Sequence, residues 1–255
     1  MSASGTWRLR SLAAAAALAL CPALAVAAAV QVSPTLVDLS PAARSAVVTL
    51  RNDGAEPVSF EVQVRAWRQS AAGEMELSAT SELLAYPPVL AIAPGEERIL
   101  RVGVAGGAPF GAVERSYRLL VQELPSPEKQ GAPLRLRVLT QLNLPVFLAP
   151  ARVVKRATLQ GLAVRQGKIV FTARNEGTVH VRARSVKVSA AASDGKVLVE
   201  RELPPLYLLA GGERVYEVEV PADACARVRE VSVAVALEPQ VLRAKLPTPE
   251  GLCAR

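Results

Sequence analysis

Histidine, cysteine, methionine and aromatic residues are all scarce in this 255-residue chain, and each scarcity excludes some chemistry. One histidine, His180, and three cysteines leave no recognisable set of transition-metal ligands. Set in Thr178-Val-His-Val-Arg182, the histidine reads as a structural residue on a strand just after a turn, not as a general base. No serine lies in a G-x-S-x-G elbow, and there is no glycine-rich phosphate loop. Paired carboxylates stay open, because two acids can meet in space from any two positions; Glu96 and Glu97 read as a solvated turn. Aromatics make up only 4 % of the chain and the arginines are scattered, so the net charge of +7 does not point to nucleic acid. Sustained helical periods with caps at both ends are missing too. Beyond Val30, no apolar run is long enough to span a bilayer.

What is present begins with a leader. Trp7-Arg8-Leu9-Arg10 supplies a positive start, Ser11 to Val30 is almost wholly Ala, Leu and Val, and Ala25-Val26-Ala27 offers a cleavage site. Residues 1–28 therefore read as a secretory signal peptide, with an uncleaved membrane anchor as the alternative. Cleavage removes Cys21 and lowers the net charge to +5 through loss of Arg8 and Arg10. In an oxidising compartment the remaining pair, Cys225 and Cys253, suggests one disulfide, two separate thiols being the other reading. Such a loop would contribute roughly 3 kcal/mol through chain entropy. The residual positive charge suits an anionic or carboxylate-bearing partner outside the cytoplasm.

The rest reads as strands. Val47–Arg51, Val58–Trp67, Arg98–Val104 and Tyr117–Leu124 are rich in branched residues and divided by turn signals such as Asn52-Asp53-Gly54 and Pro94-Gly95. That spacing predicts antiparallel sandwiches. A faint repeat divides them. Arg51-Asn52-Asp53-Gly54 returns as Arg174-Asn175-Glu176-Gly177, and Ala93-Pro94-Gly95-Glu96-Glu97-Arg98 returns as Ala210-Gly211-Gly212-Glu213-Arg214. Two matches in the same order predict duplicated domains, 29–148 and 149–255. The join near Leu148-Ala149-Pro150 leaves almost no linker, which predicts a bent, fairly rigid pair with a cleft between.

Residues 134–146, LRLRVLTQLNLPV, carry the most information. Side chains alternate along a strand, so Leu134, Leu136, Val138, Leu142, Leu144 and Val146 share one face, interrupted only by Thr140. A strand of this length exceeds the usual five or six residues. Part of its apolar row can overhang its own core and await a partner. The alternative is a long central strand buried wholly at home.

The opening Val30-Gln-Val-Ser-Pro34, Leu50-Arg51-Asn52, Trp67, Pro87-Pro88, Ala93-Pro94-Gly95-Glu96, Ser116-Tyr117-Arg118, Glu123-Leu124-Pro125, the alternating strand and Val146-Phe147-Leu148-Ala149-Pro150 together resemble the PapD-like family of periplasmic pilus-assembly chaperones. The likeness to this chaperone–usher pathway family covers nearly all of the first domain; the second matches only in outline. It implies an all-β boomerang of two immunoglobulin-like β-sandwich domains, with no enzymatic activity and no cofactor. It also implies a periplasmic protein that binds fimbrial subunits, delivers them to an outer-membrane usher, and neither inserts into the membrane nor binds nucleic acid. The last strand of the first domain would complete the subunit's sheet, Leu134, Leu136 and Val138 being the donated apolar residues and Thr140 the next site. Three positions depart from the family. The arginine and lysine that hold the subunit's C-terminal carboxylate align with Leu36 and Pro145, and the arginine that opens the interdomain link aligns with Ala149. The chain in this respect resembles a divergent, archaic or spore-coat-like branch. Arg101 and Arg118, both inside apolar strands, are the candidate carboxylate anchors, since arginine offers a planar fork for bidentate pairing. An exported two-domain immunoglobulin-like adhesin or surface-binding module is the runner-up, and an exported hydrolase on a sandwich scaffold a distant third.

Overall fold

Branched and aromatic residues alternating with polar ones dictate strands with one buried face, and strands account for almost all the regular structure. The computed structural model describes residues 30–108, 110–125, 138–238 and 240–247. The expected leader, Cys253, Leu134 and Leu136 lie outside the described residues.

In chain order the first ten strands are β1 (Val30–Ser33), β2 (Val37–Leu39), β3 (Ser45–Asn52), β4 (Val58–Gln69), β5 (Met75–Ala79), β6 (Leu83–Tyr86), β7 (Val89–Ile92), β8 (Glu97–Val104), β9 (Arg115–Glu123) and β10 (Gln141–Leu148). They form two sheets, one ordered β1-β3-β8-β6 and the other β2-β10-β9-β4-β5 with β7 also on β4. Between the sheets lie Phe60, Tyr117, Leu50, Leu100, Leu119 and their neighbours. The remaining strands are β11 (Ala157–Arg165), β12 (Lys168–Asn175), β13 (Val181–Ala191), β14 (Val197–Leu203), β15 (Leu206–Leu208), β16 (Glu213–Glu219), β17 (Glu230–Leu237) and β18 (Val241–Pro247). Their sheets, β11-β12-β16 and β14-β13-β17-β18 with β15 on β13, enclose a second core around Ile169, Phe171, Val186, Val188 and Val233. This is the fold of two immunoglobulin-like sandwiches. Among the described residues no helix is long and apolar enough to cross a membrane.

The repeat read in the sequence has a physical basis. Asn52 and Asn175 are both fully buried. Each amide nitrogen donates to the carbonyl four residues on, Glu56 at 2.7 Å and Val179 at 2.9 Å. Each also donates to a distant carbonyl, Ile92 at 3.1 Å and Leu208 at 2.9 Å. Each amide oxygen accepts the N–H of the glycine two residues later at 2.9 Å. Ile92 lies one residue and Leu208 two residues before the second repeated motif, so the asparagine ties one motif to the other in both domains. Asn52→Ala and Asn175→Ala should each destabilise their own sandwich by about 2–4 kcal/mol, because buried carbonyls lose their donors. Denaturant unfolding of each variant, followed with a domain-specific probe, checks this.

Three local expectations are refined. His180 itself is outside the strand, which starts at Val181. Among the described residues, pairing of the long strand starts at Gln141 and residues 138–140 are not in a strand; residues 134–137 lie outside the described residues. One short helix, α1 (Ala222–Cys225), interrupts the second domain. Its single turn is too short to show a helical period. Cys225 at its end is buried and disulfide-bonded.

Candidate functional site

The site is built on β10. Its alternation holds as read: Leu144, Val146 and Leu148 enter the first core and Leu142 packs against it. On one side β10 pairs with β9 along its whole length, Gln141↔Gln122 to Leu148↔Arg115. On the other side only Val146–Leu148 are paired, with Val37–Leu39 of β2. Gln141–Pro145 therefore present a free edge among the described residues, and Pro145, which has no N–H to give, fits an edge position. The register continues one step further back: Glu123 N–H donates to Thr140 O at 2.9 Å, and Thr140 N–H donates to Glu123 Oε2 at 3.0 Å. Beyond that step Val138, next but one in the apolar row, is 81 % exposed.

The opposite face of this sheet turns toward the second domain. Phe147 is buried there with Trp67 and Leu209, and Leu36 and Tyr207 pack against them. The Phe147 ring stacks on His180 at 3.6 Å and stands 6.0 Å from Trp67. Buried Glu114 locks the joint, its Oε1 accepting the His180 N–H at 2.9 Å and lying 2.9 Å from Nδ1. Glu114 N–H in turn donates to Thr178 O at 2.8 Å. His180 is thus the structural residue expected, and it does its structural work between domains.

Arg118 extends over this same face. It is 8 % exposed, and its guanidinium lies 3.6 Å above the Trp67 ring. Its Nε–H has no acceptor among the described residues. Burial pushes its pKa down from the ordinary arginine value, yet arginine stays charged at neutral pH. Across the ladders Arg118 stands between Arg65 of β4 and Pro145 of β10. Like charges directly opposite in a sheet are destabilising, so two adjacent arginines here carry a cost that folding alone does not explain. Among the described residues Arg65 reaches only a neutral side chain, donating from Nη2 to Gln63 Oε1 at 3.0 Å.

The other expected residues are spread differently. Arg101 is exposed on β8, in the other sheet, beside Val47 and Tyr86; the structure does not bring it to Arg118. Val138 and Thr140 adjoin the free edge. Glu114, Tyr207 and the stacking role of Trp67 are not visible in the sequence, because their partners lie tens of residues away. The only hint was the resemblance that singled out Trp67.

Residues 29–154 match the family described as "Pili and flagellar-assembly chaperone, PapD N-terminal domain". Over those residues the chain matches the PapD-like pilus-assembly chaperones, a non-enzymatic family. No curated protein matches the sequence. Among solved structures, a chain of the CsuC–CsuE chaperone–tip adhesion subunit pre-assembly complex, from archaic chaperone–usher Csu pili of Acinetobacter baumannii, is similar over 84 % of this chain and 98 % of its own, at 18 % identity and a TM-score of 0.58. The YadV chaperone covers 86 % and 99 %, at 14 % identity and 0.58. A chain of the Salmonella enterica SafA pilin–SafB chaperone complex covers 86 % and 96 %, at 15 % identity and 0.54. These likenesses extend the family's fold across both domains.

Proposed function

We propose that this protein is a periplasmic chaperone for pilus subunits, binding them by strand donation from the segment that leads into β10 and passing them to an outer-membrane usher. The observation that carries this reading is the half-paired β10. Its Gln141–Pro145 edge lacks a neighbour among the described residues, and its apolar row runs out of the core to an exposed Val138. A strand laid along that edge would gain main-chain hydrogen bonds, while Leu134, Leu136, Val138 and Thr140 fill successive positions in its groove. Arg118 serves as anchor for the subunit's terminal carboxylate. It lies directly across the ladder from Pro145, where the family resemblance expects a lysine, and its buried charge awaits an anion. Coexpression with a secreted, groove-bearing pilus subunit tests the reading: the subunit should accumulate in soluble form and copurify only when this protein is present. Equal accumulation without it contradicts the proposal.

Cys253 is proposed as the partner of Cys225, fastening the chain end to the second core. Peptide maps of exported protein with and without reductant should show a linked Cys225–Cys253 pair. Any other partner for Cys225 overturns this assignment.

A further inference from the structure

β4 is twelve residues long, but its pairing with β9 ends at Ala66; beyond that point its only strand partner among the described residues is β5. The two strands continue as a ribbon toward the second domain. At its base Trp67 packs with Phe147 of β10. Further out, the Gln69 side chain imitates a strand: Nε2 donates to Tyr207 O at 2.9 Å, and Oε1 accepts the Leu209 N–H at 3.3 Å. Next, Ala71 O accepts the Val215 N–H at 2.9 Å. At the tip Gly73 adopts φ +83°, and a Cβ built on it would fall inside the Arg214 guanidinium. Nη1 of that arginine lies 3.5 Å from Gly73 O. The tip is fixed internally as well, Gly73 N–H donating to Ser70 O at 2.8 Å and Glu74 N–H to Ser70 Oγ at 3.1 Å.

We infer that the β4–β5 ribbon is a brace that sets the second sandwich at a fixed angle to β10, and that Gln69 and Gly73 are positioning residues for subunit capture. The inference rests on the chaperone reading above. Three successive contacts, two of them made by backbone groups, resist both rotation and sliding of one domain on the other. Glu114, His180 and Phe147 hold the joint at its centre, and the ribbon adds contacts further out that resist rotation about that point. A partner that takes the free edge of β10 and reaches the second domain needs both surfaces pre-set. If the domains swing freely, each binding event must first order them.

The test uses the full exported chain carrying spin labels at Glu56→Cys and Lys196→Cys, exposed positions in the two domains. Gln69→Ala and Gly73→Ala should each broaden the interdomain distance distribution and weaken subunit capture by about tenfold or more, from lost preorganisation. Thermal unfolding of the sandwiches should stay near that of the parent. Arg68→Ala, exposed on the same ribbon, should change neither distance nor capture. A narrow, unshifted distribution in both Gln69→Ala and Gly73→Ala overturns the brace, whatever happens to capture. A broadened distribution with parental capture overturns the positioning role. Absence of capture by the parent itself would count against the chaperone reading and leave the distance result to decide the brace.

Discussion

Leu136→Arg and Val138→Arg should yield folded, exported proteins that no longer hold a pilus subunit. Burying a side chain of this size contributes roughly 1.5–3 kcal/mol, or about 10- to 150-fold in affinity. A charge pushed into an apolar groove costs more still, so loss of copurification is the expected result for either variant. Val138 is largely exposed in the free protein. Its replacement should therefore move stability by no more than about 0.5 kcal/mol, or about 1–2 °C in melting temperature. Arg137→Ala, on the opposite face of the sequence pattern, should matter much less. If Leu136→Arg unfolds the free protein, that part of the apolar row is ordinary core.

Arg118→Ala should weaken capture of a subunit with an intact C-terminus by about 10- to 100-fold, the equivalent of a charge-assisted hydrogen bond of roughly 1.5–3 kcal/mol. It should hardly affect a subunit whose terminal carboxylate is amidated. Stability should move the other way or not at all. The fold holds this cation buried beside Arg65 with no acid facing it among the described hydrogen bonds and ion pairs. Replacing a buried charge with an apolar group is commonly neutral or stabilising, and the stacking on Trp67 offsets only part of the burial cost. Arg118→Leu should accordingly melt at or above the parent temperature while capturing poorly. Equal binding of intact and amidated subunits by the parent would remove the anchoring role.

The fold was legible where the signal is local. Val58, Phe60 and Val62 alternate with polar residues in the sequence and are buried in the structure as that pattern demands. The repeated Arg-Asn-acid-Gly motif was visible as text. The reason for it, a buried asparagine gripping a carbonyl 40 or 33 residues away, was not. The site was legible by halves. Arg101 and Arg118 look alike in sequence, each flanked by branched or aromatic residues. Only the packing of two sandwiches decides which sheet face turns toward the joint; it places Arg118 on that face, over Trp67, and Arg101 on the other sheet. Glu114 and His180 are 66 residues apart, and no spacing rule links them. The strand expected from 134 shows pairing only from Gln141 within the described residues, because alternation records where side chains could point and not whether a neighbouring strand is present.

Amide hydrogen exchange of the free protein and of its complex with a pilus subunit tests strand donation most directly. In the free protein the amides of residues 138–143 that point away from β9 should exchange quickly, having no acceptor. In the complex they should be strongly protected, together with the subunit strands that flank its groove. Protection gained instead at the other sheet edges, β6, β14 or β18, with residues 138–143 unchanged, would contradict donation from this strand.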